Sequence, residues 1–131
     1  MAHVLNEFRN VVLCDDVRDE IGNKKSLMGV FSGDIIVQEL PATIPIAIYL
    51  EFVPVDPTKS FELSIKLSVD SDEIAKANIP VVLNPGSSNA SIILPKGLVR
   101  FDKESTFKVT AKIDDELEVE LVSKKIIKRN L

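Results

Sequence analysis

Residues 60–69, Ser-Phe-Glu-Leu-Ser-Ile-Lys-Leu-Ser-Val, alternate between polar and apolar side chains at every position. A period of two places the apolar side chains on one face of an extended strand and the polar side chains on the other. The stretch therefore predicts a β-strand with one buried and one solvated face.

The next stretch of sequence has the same period. Its apolar positions are Ala75, Ala77, Ile79, Val81 and Leu83. Opposed residues of an antiparallel pair share a face, so matching the two sets pairs Val69 with Ala75 and Leu67 with Ala77. The sequence thus predicts a hairpin with a five-residue loop, Asp70 to Ile74.

Similar patterns along the chain predict about eight strands. A second hairpin, with Asp114 to Glu116 as its loop, would pair Ile113 with Leu117. Pro41 and Pro45 bracket a link that a central strand should not contain, because proline cannot donate to a β-ladder. The other predicted strands are Phe8 to Cys14, Ser26 to Phe31 resuming at Ile35 to Val37 after a bulge at Ser32-Gly33, Ile46 to Val53, Ala90 to Leu94, and a short edge segment at Leu98 to Phe101.

The composition agrees with an all-β fold. Valine and isoleucine together account for 29 of the 131 residues and alanine for only 7, and β-branched side chains fit a pleated sheet. We expect one domain over residues 1–131: an antiparallel two-sheet β-sandwich, immunoglobulin-like or of related topology, with a closed barrel as the alternative. The basic residues at 124–131 are expected to form a frayed tail.

The charge balance disfavours several classes of function. A net charge of −4 with 27% charged residues is typical of neither a disordered chain nor a polycation that binds nucleic acid. No apolar run is long enough to span a membrane, and the first residues lack the pattern of a secretory signal. A lone cysteine, Cys14, cannot form an intramolecular disulfide. We therefore expect a cytoplasmic protein without nucleic-acid partners or cofactors.

Acidic residues provide the candidate metal ligands. Asp15 and Asp16 follow one predicted strand, Asp114 and Asp115 follow another, and strands that alternate in direction would bring both loops to one end of the sandwich. Carboxylate oxygens are the ligands that Ca²⁺ prefers. Acidic residues are also common in hairpin loops, so these four residues are either ordinary loop residues or candidates for a divalent-cation site.

No residue pattern predicts catalysis. A nucleophilic cysteine needs a nearby cation or base, whereas Asp15 and Asp16 would raise the pKa of Cys14. The only histidine, His3, lies near the start of the sequence, and no serine-hydrolase motif is present. We therefore assign no catalytic residue, and an enzyme is disfavoured.

The predicted strand Ile46 to Val53 has apolar side chains on both faces. One face carries isoleucine, leucine and phenylalanine, and the other carries Ala47, Tyr49 and Val53. A strand solvated on one side would not show this pattern, so the second face needs a cover. That cover is a loop such as Pro54 to Lys59, another strand, or another subunit, which makes Ala47, Tyr49 and Val53 a candidate interaction surface.

The stretch from Leu13 to Phe31 resembles the opening block of a small bacterial or phage-borne all-β family of unknown function. The resemblance rests on Cys14-Asp15-Asp16, then Arg18, Glu20, Gly22, Lys24, Ser26 and Gly29-Val30-Phe31, with a later Leu40-Pro41-Ala42. It covers roughly a quarter of the chain and implies a cytoplasmic β domain. It implies no activity and no catalytic residue.

The sequence favours a non-enzymatic interaction or assembly module that binds a protein partner or self-associates, for example as a homodimer. The alternative is a sandwich that binds a divalent cation or a small ligand, and a hydrolase comes third.

Overall fold

The computed structural model describes residues 8–53, 60–82 and 89–130, which form nine strands. They are β1 (Phe8–Glu20), β2 (Lys24–Val30), β3 (Ile35–Val37), β4 (Ala42–Phe52), β5 (Phe61–Val69), β6 (Asp72–Val81), β7 (Ala90–Phe101), β8 (Ser105–Ile113) and β9 (Val119–Lys128). Within these ranges no helix is long and apolar enough to cross a membrane.

The strands form two sheets, which confirms the predicted β-sandwich class. The four-stranded sheet has the order β2-β1-β4-β7, and the five-stranded sheet has the order β3-β9-β8-β5-β6. All neighbours are antiparallel except the short β3, which pairs parallel to β9. The antiparallel prediction therefore fails at this one edge.

The core lies between the two sheets, where the alternation in β5 behaves as predicted. Leu63 and Ile65 are almost completely buried, and Lys66 faces the other way to form an ion pair with Glu118. Phe101 and Phe107 join the sheets in an edge-to-face contact with ring centroids 5.9 Å apart. Burial of this apolar area is the main stabilising contribution to the fold.

The β5–β6 hairpin has a different register from the predicted one. Leu67 lies opposite Ala75 and Val69 opposite Asp72, so the predicted pairs of Val69 with Ala75 and Leu67 with Ala77 are wrong. The slip is two residues, which keeps the same side chains on the inner face. The face assignment from the sequence survives although the partners change. Leu83, the last residue predicted for this strand, lies outside the described ranges.

The turn residues explain this register. Asp70 and Ser71 have φ angles of 49° and 75°, as the two central residues of a type I′ turn require. The predicted five-residue loop is therefore replaced by a two-residue turn. Ile74 is then the extra residue of a bulge, because the pairing passes from Ala75 to Glu73 between Leu67 and Ser68.

The β8–β9 connection is wider than predicted. Ala111 lies opposite Val119, the register that the predicted loop would give, but the pair of Ile113 with Leu117 is not formed and Leu117 is 79% exposed. The β8–β9 pairing ends before Ile113 because Asp114, with a φ of 49°, is hydrogen-bonded to β5. Its N–H donates to the Glu62 carbonyl at 2.9 Å, and its carboxylate accepts from the Glu62 N–H at 3.0 Å.

The predicted frayed tail is wrong for residues 124–128, which form the end of β9. Ile126 is buried and is paired with both β3 and β8. The Lys125 N–H donates to the Asp34 carboxylate, and the Lys128 N–H donates to the Glu104 carboxylate. These contacts hold the basic segment in the sheet.

Two predictions about strand breaks also need correction. Ser32-Gly33 is no bulge within one strand: here the chain crosses from β2 in one sheet to β3 in the other. Pro45 lies inside β4, at a point where β1 no longer pairs and only β7 is a neighbour. A missing N–H is tolerated on such an unpaired side. The segments predicted at Ala90 to Leu94 and Leu98 to Phe101 are parts of the single strand β7.

Candidate interaction surfaces

The second face of β4 is covered, at least in part, by the chain itself. Ala47 is completely buried, so it is not available to a partner, whereas Tyr49 and Val53 are half-buried. Of the covers considered from the sequence, the segment Pro54 to Lys59 lies outside the described residues. The cover that the structure describes is the hairpin formed by β1 and β2.

This hairpin bends away from the sheet at Cys14. Cys14 is the last residue of β1 that pairs with β4, opposite Ala47, and it also pairs with Val30 of β2. Immediately beyond it, Gly29 has a φ of 65° in β2, which departs from extended geometry and bends the ribbon. We call residues 15–29, which extend past this point, the β-arm.

The β-arm folds back over the outer face of the four-stranded sheet. Its residues share a surface groove with β4 and β7, although β1 separates β2 from β4 in the hydrogen-bonding order. Tyr49 alternates with the buried Ile48 and Leu50, so the groove lies on the face turned away from the core. The lining of this arm groove is Asn23, Lys24, Lys25 and Leu27 from the β-arm, Tyr49 and Glu51 from β4, and residues 89–91.

The arm groove has a lining of mixed polarity and a volume of about 440 Å³. Its floor is fixed by Glu51, which accepts a hydrogen bond from Asn10 Nδ2 at 2.8 Å and another from the Tyr49 hydroxyl at 3.2 Å. Burial raises the pKa of Tyr49, and the negative charge of Glu51 adds to the effect. At its rim, Lys25 forms an ion pair with Asp19 inside the β-arm.

Cys14 is a buried structural residue. Its side chain is completely buried, and its thiol lies 3.3 Å from the Asp16 carbonyl oxygen. Burial raises the pKa of this thiol, and Asp15 and Asp16 raise it further by their charge, against the lowering effect of the hydrogen bond to Asp16. The direction agrees with the sequence prediction, with burial as the larger cause.

The acidic candidates lie in two different settings. Asp15 and Asp16 are inside β1 rather than in a loop after Cys14, whereas Asp114 and Asp115 form the turn after β8. Across the described parts of the chain, no three histidine, cysteine or acidic side chains are grouped so that they could hold a metal ion. Asp15 packs against Gly29 and Asp114 bonds to β5, so each has a structural role.

A second groove opens between the two sheets at the side where β7 and β6 are the edge strands. This edge groove has a volume of about 390 Å³ and an almost entirely apolar lining, with Arg100 at its border. Leu98 of β7 and Ile74 of β6 border it and are 75% and 45% exposed; Leu98 lies opposite Pro45, on the side of β7 turned away from the core. Large apolar side chains grouped at such a cleft mark a contact surface more often than scattered ones do.

The sequence did not predict this surface. The sequence predicted an edge segment at Leu98 to Phe101 but could not place it beside Ile74, which belongs to the other sheet. The bulge that makes Ile74 the extra residue depends on the turn at Asp70-Ser71.

Comparison with known proteins places this chain in a family. The model of the family of unknown function DUF6941 matches residues 9–122, which include the opening block from Leu13 to Phe31. The chain belongs to this family. This confirms the expectation of a family of unknown function. No curated protein matches the chain.

Among solved structures, the chain is similar to the CARDB domain of a protein from Pyrococcus furiosus, a crystal structure in complex with di-metal ions. The two share 8% sequence identity with a TM-score of 0.44, and the match covers 94% of this chain and 97% of that chain. The sandwich architecture of the DUF6941 chain follows from its own strand pairing.

Proposed function

We propose that this DUF6941 chain is a non-enzymatic interaction or assembly module that associates with a second copy of itself. The observation that carries the proposal is the edge groove, an apolar cleft between two sheet edges that the exposed Leu98 and Ile74 border. When a partner removes exposed apolar side chains from water, the complex is stabilised by about 25 cal/mol per Å² of apolar area buried.

The surroundings of the groove support a protein partner over a small substrate. In the described residues that line it, Arg100 is the only ionisable side chain, and its Nε is paired with Asp102 at 2.8 Å. A catalytic cleft combines titratable groups with a hydrogen-bonded nucleophile or a metal. The thiol of Cys14 lies on β1, between β2 and β4 and away from this groove, and burial raises its pKa.

The test is the mass of the protein in solution, measured by size exclusion with light scattering across micromolar concentrations. We expect the wild type to self-associate and Leu98→Lys to shift it towards the monomer, because the charge would have to be desolvated in the contact. Leu117→Lys is the matched control, since Leu117 is equally exposed but lies in the β8–β9 connection. A wild type that is strictly monomeric would contradict self-association.

A further inference from the structure

The two strands that border the edge groove carry opposite charges. β7 contains Lys96 and Arg100, on either side of Leu98, and no acidic residue; Asp102, just after the strand, pairs with Arg100 Nε at 2.8 Å. β6 begins with Asp72 and Glu73, which immediately precede Ile74, and its only basic residue is Lys76. These side chains are all exposed, so each copy presents a basic edge and an acidic edge beside one apolar groove.

We propose that the DUF6941 chain forms a twofold dimer in which β7 of each copy lies against β6 of the other. This inference rests on the proposed self-association and names its geometry. Leu98 and Ile74 form the apolar centre, Lys96 and Arg100 of one copy face Asp72 and Glu73 of the partner, and the twofold axis repeats the contact. Complementary charge at the rim sets partner choice and register around an apolar centre.

The dimer closes because both edges lie on the same side of the sandwich. β7 is the edge of the four-stranded sheet, β6 is the edge of the five-stranded sheet, and both line the same groove. A twofold axis along this side places each sheet of one copy opposite the other sheet of its partner. Such an isologous contact uses both edges of both copies, so it ends at two subunits.

Side chains rather than continuous strand pairing make this contact. Pro95 in β7 and Pro80 in β6 lack an N–H group, and the β4–β7 ladder has a register shift between Ile46 and Ile48. Prolines, bulges and lysines on edge strands oppose open-ended edge-to-edge pairing. The contact is therefore confined to the segments around Leu98 and Ile74, which limits the assembly to a dimer.

Charge reversal tests this geometry. The basic-edge variant is Lys96→Glu with Arg100→Glu, and the acidic-edge variant is Asp72→Lys with Glu73→Lys. Alone, each variant would bring like charges together at both contacts of the dimer, and we expect its dimer dissociation constant to rise roughly tenfold or more. Mixed in equal amounts, the two variants present opposite charges at both contacts, and we expect a heterodimer with an affinity near that of the wild type.

Light scattering and sedimentation velocity of each variant and of the mixture provide the readout. Glu39→Lys with Asp115→Lys is the control: it changes the net charge as the acidic-edge variant does, but outside β6 and β7, and it should dimerise like the wild type. If circular dichroism shows that a double variant is unfolded, the single variants Lys96→Glu and Glu73→Lys repeat the mixing test with one reversed charge per edge.

The outcomes separate this inference from the proposed function. If the wild type dimerises and both edge variants still dimerise, the edge-to-edge geometry is wrong and self-association stands. The same conclusion holds if mixing the two variants does not restore dimerisation. Oligomers larger than two overturn the closed twofold arrangement. A monomeric wild type overturns both proposals.

Discussion

The carboxylate of Asp15 occupies the space in which Gly29 would carry a side chain. The two residues lie at the gap in the β1–β2 ladder between the pairs Cys14–Val30 and Asp16–Met28, and an added Cβ at Gly29 would overlap the carboxyl group and lie 3.1 Å from the Asp15 Cβ. Gly29 also has a φ of 65°. Both features belong to the bend that returns the β-arm over Ala47 and Tyr49, so this pair fixes where the arm begins.

Gly29→Ala should destabilise the protein, because the new methyl group meets Asp15 and because a left-handed conformation costs an L-residue about 1–2 kcal/mol. The free energy of unfolding from urea denaturation measures the loss. Gly33→Ala is the control: its added Cβ has no neighbour within 4 Å and its φ is not positive, so it should be neutral or slightly stabilising.

A second variant separates the two causes. Combining Gly29→Ala with Asp15→Ala removes the overlap but keeps the left-handed φ, so it should be more stable than the sum of the two single losses predicts. Additive effects of the two substitutions would contradict the packing of Asp15 on Gly29.

Asp70 should be the residue most sensitive to substitution in the β5–β6 turn. Its φ is 49°, its N–H donates to the Thr106 carbonyl at 3.0 Å, and its carboxylate accepts from the Thr106 N–H at 2.9 Å. Asp70→Ala loses the side-chain hydrogen bond and strains the turn, so we expect a cost of about 1–3 kcal/mol by urea denaturation.

Asp70→Asn is the matched control, because its amide oxygen can accept the same bond and asparagine tolerates the left-handed region. It should keep most of the stability. Equal losses for Ala and Asn would show that the carboxylate charge, not its geometry, supports the turn.

The faces of the strands were predictable from the sequence, but the pairing register was not. Alternation placed Leu63 and Ile65 inward because burial follows the two-residue period. Register in the β5–β6 hairpin depends on Asp70 and Ser71 both adopting positive φ, which neither residue type requires. Matching apolar faces cannot detect an even slip, since a shift of two residues preserves every face.

For the candidate surfaces too, the sequence predicted local patterns but not which strands meet in space. Apolar residues on both faces of β4 predicted a cover for Tyr49, but the sequence could not show that the β-arm lies beside it. That answer depends on the bend at Gly29, a single glycine in a strand pattern. The edge groove depends on two strands, β6 and β7, from different sheets meeting at one side, which no local pattern encodes.

Ile65→Asp tests the inner face of β5 directly. Ile65 is 1% exposed, and burying an unpaired carboxylate there should remove roughly 4 kcal/mol or more of stability, enough to unfold a domain of ordinary stability. Circular dichroism and thermal melting measure the effect.

Lys66→Ala is the neighbouring control on the outer face, where only the ion pair with Glu118 is lost, and the change in stability should be small. Similar effects at both positions would contradict the face assignment.

Cys14 should give the protein a component of stability that declines at alkaline pH. Burial raises the pKa of its thiol in the folded state, whereas an unfolded thiol ionises near pH 8.5. Above that pH the unfolded chain therefore binds fewer protons than the folded chain, so the free energy of unfolding falls as pH rises until the folded thiol also ionises. Urea denaturation of the wild type and of Cys14→Ala between pH 7 and 10 measures the difference. Cys14→Ala should be less stable at pH 7, because it leaves a small cavity, but its stability should fall less steeply with pH.

In the native wild type, a thiol reagent should react only as fast as the protein opens, since a buried thiol is inert. Rapid labelling at pH 7, or parallel pH profiles for the two proteins, would contradict a buried, proton-retaining Cys14.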